Sequence, residues 1–286
     1  MQQRLSVLFQ RKPCYDIVYD QSFQLLWDEL HVLSANQKKI CIVTDSNVAP
    51  LYGTEIQTLL SEKCSRVSMY TMTAGEEYKT LDTVKDIYGF LIKEGFDRND
   101  MLLALGGGVV GDITGFVAAT YLRGIDYVQV PTTLLAQTDS SIGGKTGVDF
   151  DGFKNMVGAF KMPRLVYINV SCLTTLDERQ YYSGFAEVMK HGLIKSVTFY
   201  QWLIENMYEI CERDLTVLTE MLLRSTTIKK QIVEKDPMEQ GDRALLNLGH
   251  TIGHSIEKSK NFQLYHGECV ALGIVAAAFI SWKKEY

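Results

Sequence analysis

Up to about residue 170, short unbroken apolar runs alternate with stretches whose apolar positions recur every three or four residues. The first texture predicts buried strands and the second predicts amphipathic helices. Lys39 to Asp45 is a strand ending in a polar turn, Arg66 to Thr71 is a weaker one, and Met101 to Leu105 is a continuous apolar strand running into Gly106-Gly107-Gly108. Tyr127 to Pro131 and Leu165 to Val170 are further strands. Leu81, Val84, Ile87, Tyr88, Leu91 and Ile92 share one face of a helix over 80–94 that Gly95 stops, and Val109 to Tyr121 reads as another helix. Strands alternating with helices predict a mostly parallel α/β sheet.

Past Ser171 the strand signals vanish. Helices are expected over 176–194, 198–211, 215–235 and 245–258, and the apolar run Cys269 to Ile280 reads as a buried helix. The change of texture near Thr174 divides the chain into an α/β domain, 1–174, and an all-α domain, 175–286. The chain stops inside a helical pattern, at Trp282-Lys283-Lys284-Glu285-Tyr286, without a closing cap. The helical domain is therefore expected to be truncated at its C-terminus.

Composition narrows the partners. The 286 residues carry a formal net charge of −5 and no block of lysine or arginine, which argues against a nucleic-acid surface. No apolar run reaches the length of a membrane span. Met1-Gln2-Gln3-Arg4-Leu5 lacks the apolar core of a secretory signal. Six cysteines lie far apart with no C-x-x-C pair, and they read as reduced core residues of a cytoplasmic protein.

Gly106-Gly107-Gly108-Val109-Val110-Gly111 satisfies G-x-G-x-x-G between a strand and a helix. Glycines let the backbone approach a pyrophosphate, and the helix start offers free N–H groups and a positive dipole end. This predicts a Rossmann-like nucleotide site, although a tight glycine turn would look the same. At least two strands precede the motif, unlike the usual dinucleotide fold. Asp126, about twenty residues on, opens a strand, so the ribose contact is assigned to Asp45 at the end of an earlier one. A second cluster, Gly143-Gly144-Lys145-Thr146, resembles a phosphate-binding P-loop, but Asp139 stands where its first glycine belongs. That excludes a P-loop ATPase and leaves Lys145 as a candidate contact for phosphate or carboxylate.

Three of the five histidines lie in Asn247-Leu248-Gly249-His250-Thr251-Ile252-Gly253-His254 and His266-Gly267-Glu268. Neutral imidazole is the commonest ligand of a catalytic transition metal. His250 and His254 share a helix face, so spacing makes both of them ligands, with His266 a third candidate. Two imidazoles and one carboxylate make an open zinc site. Glu187, Glu257 and Glu268 all qualify as the acid.

Together these stretches resemble the 3-dehydroquinate synthase family of the sugar-phosphate cyclase superfamily. The likeness runs from Gly75-Glu76-Glu77-Tyr78-Lys79 through Gly106 to Gly115, Tyr121-Leu122-Arg123-Gly124, Pro131 to Gln137, and Asp139 to Asp149. It continues through Lys154-Asn155, Gly158-Ala159-Phe160, Gly184 to Gly192, and Gly241 to Glu257 up to His266-Gly267-Glu268. The resemblance implies the dehydroquinate synthase-like fold, an NAD cofactor and one divalent metal, zinc or cobalt. It implies Glu187, His250 and His266 as the ligands, which moves His254 to the substrate side and overrules the spacing.

Implied NAD contacts are Asp45, Ala74, Gly75, Glu76, Glu77, Tyr78, Lys79, Gly107, Gly108, Val109, Val110, Gly111, Asp112, Thr132, Thr133, Cys172, Leu173, Thr174 and Thr175, with Lys145 and Lys154 at nucleotide or substrate positions. The implied substrate pocket comprises Asp139, Lys145, Asn155, Lys190, Lys229, Arg243, Asn247 and His254. Arg123 matches an arginine that reaches the neighbouring subunit's pocket, which implies a homodimer.

The implied reaction converts 3-deoxy-D-arabino-heptulosonate 7-phosphate to 3-dehydroquinate and phosphate, in the shikimate route to chorismate and the aromatic amino acids. Relatives usually continue beyond the position of Tyr286, in a helical part that carries a basic residue near the substrate phosphate. Three rivals stand beside this reading. They are another NAD- and metal-dependent sugar-phosphate cyclase, a metal-dependent polyol dehydrogenase of the related fold, and a non-catalytic nucleotide-binding module. Arg243 favours a substrate with a carboxylate, since a sugar phosphate without one would strand that charge.

Overall fold

The apolar runs become strands of one seven-stranded sheet. The structure, a computed structural model, describes residues 3–237, 239–260 and 263–285. By internal contacts the chain divides into two units, one of Met1–Leu8, Lys12–Thr132 and Ser140–Ser171, the other of Phe9–Arg11, Thr133–Asp139 and Cys172–Tyr286.

In the first unit the strands are β1 (Gln3–Phe9), β2 (Lys12–Asp20), β3 (Lys39–Asp45), β4 (Arg66–Met72), β5 (Met101–Gly106), β6 (Asp126–Pro131), β7 (Lys145–Phe150), β8 (Phe153–Phe160) and β9 (Leu165–Asn169). The main sheet has the order β1-β2-β9-β6-β5-β3-β4, and every pairing from β2 to β4 is parallel. β7 and β8 form a separate antiparallel hairpin. The helices are α1 (Leu26–Val32), α2 (Thr54–Ser61), α3 (Leu81–Lys93) and α4 (Gly108–Thr120).

All six residues of β5 are buried, as a strand covered on both faces requires. α3 starts where the Thr80 side chain accepts a hydrogen bond from the Thr83 N–H, and it packs Val84, Ile87 and Leu91 into the core beside β5. Each such side chain contributes about 1.5–3 kcal/mol. Register fixes the site: Gly106 lies opposite Pro131, Thr44 opposite Leu105, and Asp45 opposite Met72. The C-terminal ends of β3, β4, β5 and β6 thus form one edge, where open α/β sheets bind ligands.

The second unit holds α5 (Glu178–Lys195), α6 (Val197–Glu205), α7 (Met207–Cys211), α8 (Leu215–Lys235), α9 (His250–Ser259) and α10 (His266–Lys283). Asp177 caps α5 and Asp214 caps α8, each accepting two backbone N–H bonds. Glycine sets how closely these helices approach. A Cβ on Gly267 would fall 1.8 Å from the Ser183 carbonyl of α5, and one on Gly273 would fall 2.0 Å from the Gly249 carbonyl at the head of α9. α10 therefore lies backbone to backbone against both.

Three expectations need correction. The helix expected over 198–211 breaks at Asn206 into α6 and α7. The helix expected over 245–258 begins only at His250, because Gly249 adopts φ +82° after a 3₁₀ turn, Asp242–Asn247. The run Cys269 to Ile280, expected to be buried, is buried only on the face carrying Gly267, Cys269, Val270 and Gly273. Leu272, Val275, Phe279 and Trp282 are exposed, because α9 and α5 cover a single side. No disulfide joins any of the six cysteines, and Cys41, Cys172 and Cys269 are buried as expected, whereas Cys211 is exposed at the end of α7. Among the described residues no helix is long and apolar enough to cross a membrane.

Candidate active site

In the second unit, α5 presents Glu187 and α9 and α10 each present a histidine from their first residue. Glu187 is 1% exposed. Its two oxygens have different neighbours. Lys190, one turn on, donates to Oε2, while Oε1 has no hydrogen-bond partner among the described residues. That orphaned atom lies 3.8 Å from His250 Nε2 and 3.9 Å from His266 Nε2.

The tautomer of His250 follows from its other nitrogen. Nδ1 lies 3.3 Å from the Leu248 carbonyl, which can only accept, so Nδ1 carries the proton and Nε2 is left with its lone pair. Burial, reinforced by the Lys190 ammonium, pushes the His250 pKa down against the pull of Glu187. The ring is neutral at pH 7. Three donor atoms from Glu187, His250 and His266 lie within 4.8 Å of one another. A buried acceptor with no donor, facing two imidazoles, fits a divalent cation by position and by donor chemistry.

The other candidates are placed differently. Glu268 is taken up by Arg179, at 2.6 and 2.8 Å, and by the Tyr265 N–H at 2.7 Å, so it caps α10. Glu257 is buried and forms a second three-donor group with His254 and His266. His254 is exposed, with its ring centroid 5.3 Å from that of His250 and 5.8 Å from that of His266.

Behind Glu187 runs a chain of charges. Gly184 lets α5 lie against Leu134 and Leu135, where a Cβ would come within 2.7 Å of the Leu134 side chain. The same segment carries Asp139. Lys229 of α8, 5% exposed, donates to the Asp139 carbonyl at 2.5 Å and to its Oδ1 at 2.6 Å. Burial opposes ionisation of Asp139, but Lys229, Lys190 and His191 together outweigh it and hold the carboxyl far below its usual range. Burial pulls the Lys229 amine down even against Asp139. Arg243 is buried, with Nη1 donating to the Pro237 carbonyl at 2.7 Å. Asn247 is exposed and donates to Glu239 at 3.2 Å. In the same unit the Thr133 hydroxyl accepts from the Ala136 N–H, and the Thr175 hydroxyl donates to the Cys172 carbonyl. Arg213 ties down the carbonyls of Leu173 and Thr174.

In the first unit the cofactor candidates gather at the strand edge. Gly107 precedes α4 with no side chain capping the first N–H groups, as an anion site requires. A Cβ on Gly108 would lie 3.1 Å from Ser140 Oγ, and one on Gly111 would lie 2.7 Å from Gln129 Oε1, so a side chain at either position would have to displace its neighbour. Val109 is half-buried, and the Val110 side chain lies in the core, leaving its backbone for any contact. Asp45 Oδ1 accepts from the N–H groups of Asn47 and Val48. Thr132 is buried and its hydroxyl has no hydrogen-bond partner among the described residues. Asp126, at the opposite end of its strand, pairs with Lys38 and Arg164.

Ala74 donates to Ser46 Oγ, and Gly75, at φ +134°, turns the chain into Glu76-Glu77-Tyr78. Lys79, 4% exposed, bonds Asp112 at 2.7 Å and Asn155 at 2.6 Å, while Lys154 lies 3.6 Å from Glu76. Lys145 is exposed at the start of β7. Arg123 is exposed on a turn where Leu122 and Arg123 both adopt left-handed backbone, φ +51° and +68°. Such strain persists only where the surroundings enforce it.

Two buried groups in this region were given no role from the sequence, His191 and Ser225, which touch at 2.8 Å. The segment Glu187-Val188-Met189-Lys190-His191 held the signal: His191 follows Glu187 by four residues, one helical turn.

The fold is that of sugar-phosphate cyclases, among them enzymes solved with NAD+ and a divalent metal bound. A crystal structure of 2-deoxy-scyllo-inosose synthase complexed with carbaglucose-6-phosphate, NAD+ and Co2+ superposes with a TM-score of 0.90, at 27% identity, over 99% of this chain and 76% of that one. The chain belongs to the 3-dehydroquinate synthase family. Residues 69–183 match the model of the family's N-terminal part and residues 184–286 that of its C-terminal part. The 3-dehydroquinate synthase of Acetivibrio thermocellus is 54% identical over 239 residues, 84% of this chain and 66% of that protein. That of Ruminiclostridium cellulolyticum is 49% identical over 276 residues, 96% of this chain and 76% of that protein. The chain thus spans about two thirds to three quarters of the length of these relatives.

Proposed function

We propose that this chain carries the 3-dehydroquinate synthase activity, converting 3-deoxy-D-arabino-heptulosonate 7-phosphate to 3-dehydroquinate and phosphate in the shikimate route of the cytoplasm. The observation that carries the reading is Glu187 Oε1, buried, without a hydrogen-bond partner among the described residues, and 3.8 and 3.9 Å from the Nε2 atoms of His250 and His266. Identities of 54% and 49% to named synthases favour this substrate over those of other cyclases, and over polyol oxidation.

Residues 1–174 bind NAD and residues 175–286 bind metal and substrate. Glu187, His250 and His266 hold the ion, zinc or cobalt given two imidazoles and a carboxylate. When bound, it lowers the pKa of the substrate hydroxyl to be oxidised and polarises the resulting carbonyl. NAD held by residues 1–174 would supply a reversible hydride acceptor, with no net reducing equivalent consumed.

The chain's own groups do the rest. Lys190 holds Glu187 Oε2 and leaves Oε1 turned toward the histidines. Arg243, a planar fork, holds the substrate carboxylate, and Lys229 and Lys145 supply point charges for phosphate. Asn155, Asn247 and His254 orient the hydroxyls, and Asp139 anchors Lys229. The backbone N–H groups at Gly107 and Gly108 hold the pyrophosphate of NAD, Asp45 takes the ribose, and Lys79 with Asp112 braces the turn beside them. Arg123, exposed on its strained turn, completes the pocket of a second copy in a homodimer.

A phosphate-release assay with the heptulosonate phosphate decides the matter. Turnover should appear with no net NADH and stop when a chelator removes the metal. Accumulation of NADH, or turnover unaffected by chelator, would overturn the proposal.

A further inference from the structure

α5 and α8 each present a pair of polar side chains one turn apart. On α5 these are Glu187 and His191, and on α8 they are Ser225 and Lys229. Residues four apart share a helix face, so each pair presents both of its members to the same neighbour. The site described above accounts for Glu187 and Lys229 but not for Ser225 or His191. His191 is 0% exposed, as is Ser225. Its Nδ1 lies 2.8 Å from Ser225 Oγ. Its Nε2 has no hydrogen-bond partner among the described residues and lies 3.9 Å from Asp139 Oδ1.

A neutral imidazole has one N–H. Here burial, reinforced by Lys190 and Lys229 and opposed by Asp139, lowers the pKa to about 3, so the ring is neutral throughout the physiological range. Two tautomers remain. In one, Nε2 turns a lone pair toward the Asp139 carboxylate, which is repulsive. In the other, Nε2 carries the proton and points it at an acceptor, while the Ser225 hydroxyl donates to Nδ1. The second leaves no lone pair facing the carboxylate. Asp139 is also the anion that holds the Lys229 ammonium. Glu187, Asp139 and His191 have the composition of a cation site, within 4.8 Å of one another. Lys190 on Glu187 and Lys229 on Asp139 already place two cations in that group.

We propose that His191 is a positioning residue: Ser225 fixes its tautomer, and its Nε2–H steadies the Asp139 carboxylate that in turn sets the Lys229 ammonium against the substrate's anionic group. This inference rests on the proposed function for the identity of the substrate, but not for the geometry. The 3.9 Å contact closes to a hydrogen bond when the carboxylate moves by about 1 Å.

Two measurements test it on the holoenzyme with NAD and metal bound. Nitrogen-15 NMR of histidine-labelled protein, assigned by difference with His191→Gln, should show Nε2 protonated and Nδ1 unprotonated at neutral pH. Ser225→Ala should mix the tautomers. A protonated Nδ1, or an even mixture in the unsubstituted protein, overturns the proposal. In kinetics, His191→Phe should raise KM for the sugar phosphate and lower kcat/KM on the order of tenfold to a hundredfold, with NAD affinity and metal content unchanged. His191→Gln, whose amide N–H reaches the same place, should recover most of that loss. A His191→Gln variant as impaired as His191→Phe, at equal thermal stability, overturns it as well. Failure of the proposed function would show instead as no phosphate release by the unsubstituted enzyme, whatever the tautomer.

Discussion

At the scale of single residues, the division of labour on Glu187 matters most. One oxygen answers Lys190 and the other answers the imidazoles. Lys190→Met would leave a carboxylate buried without its partner, a change that costs about 3–5 kcal/mol. Urea denaturation of the metal-free protein should show that loss, and Glu187→Gln added to the same chain should restore part of it. An unchanged midpoint would mean that the pair is not buried as described. Spacing alone could not choose among Glu187, Glu257 and Glu268, because the choice depends on what else each acid touches. Glu268 looked eligible beside His266, yet Arg179 and the head of α10 take both of its oxygens. The i, i+4 relation of His254 to His250 gives a shared face but not which neighbour fills it, and His254 also joins Glu257 and His266 in a second three-donor group.

At the scale of elements, the periodicities were legible in several helices and strands that bury one continuous face. The helix read over 215–235 is α8 to the residue, and the strand read over Lys39 to Asp45 is β3. β2 escaped although it buries Tyr15, Ile17, Val18 and Tyr19, because Pro13 and Asp16 break its apolar run, and two half-exposed strands escaped with it. β1, at the sheet edge, has one buried residue in seven, and β8 has none, so neither carries an unbroken apolar run. The join between the 3₁₀ turn and α9 was also invisible, since one glycine in left-handed conformation ends one element and starts the next.

Two glycine substitutions separate backbone contact from helix propensity. Gly267→Ala has nowhere to put its methyl and should lower stability by about 1–3 kcal/mol or more, and weaken metal binding as α10 shifts. Gly89→Ala, in α3 with nothing within 4 Å, should raise stability by about 0.5–1 kcal/mol. Thermal denaturation of the two variants side by side checks both signs.

At the scale of the whole chain, the two textures of the sequence correspond to a sheet-based unit and a helical one, each with its own half of the proposed chemistry. Stability should also depend on pH through His191, which faces Lys190, Asp139 and Lys229. The unfolded chain takes up a proton near pH 6.5 that the folded chain refuses until about pH 3. Folding is therefore disfavoured progressively as pH falls through that window, by up to roughly 1.4 kcal/mol per unit, and is indifferent to this group above it. Asp139 adds to the loss at the acid end, where the unfolded carboxyl protonates first. Unfolding free energies measured from pH 7 to pH 4.5 should fall with this slope, and His191→Gln should flatten it.

The seam where α10 meets α9 and α5 has one more consequence. Main chain rests on main chain there, so no rotatable side chain stands between the mounting points of the two imidazoles and the carboxylate. The mounting behaves as a rigid jig whose tips are interchangeable. Swapping the donor at His266 for an oxygen ligand should retune which ion is preferred while leaving the frame that holds it unmoved.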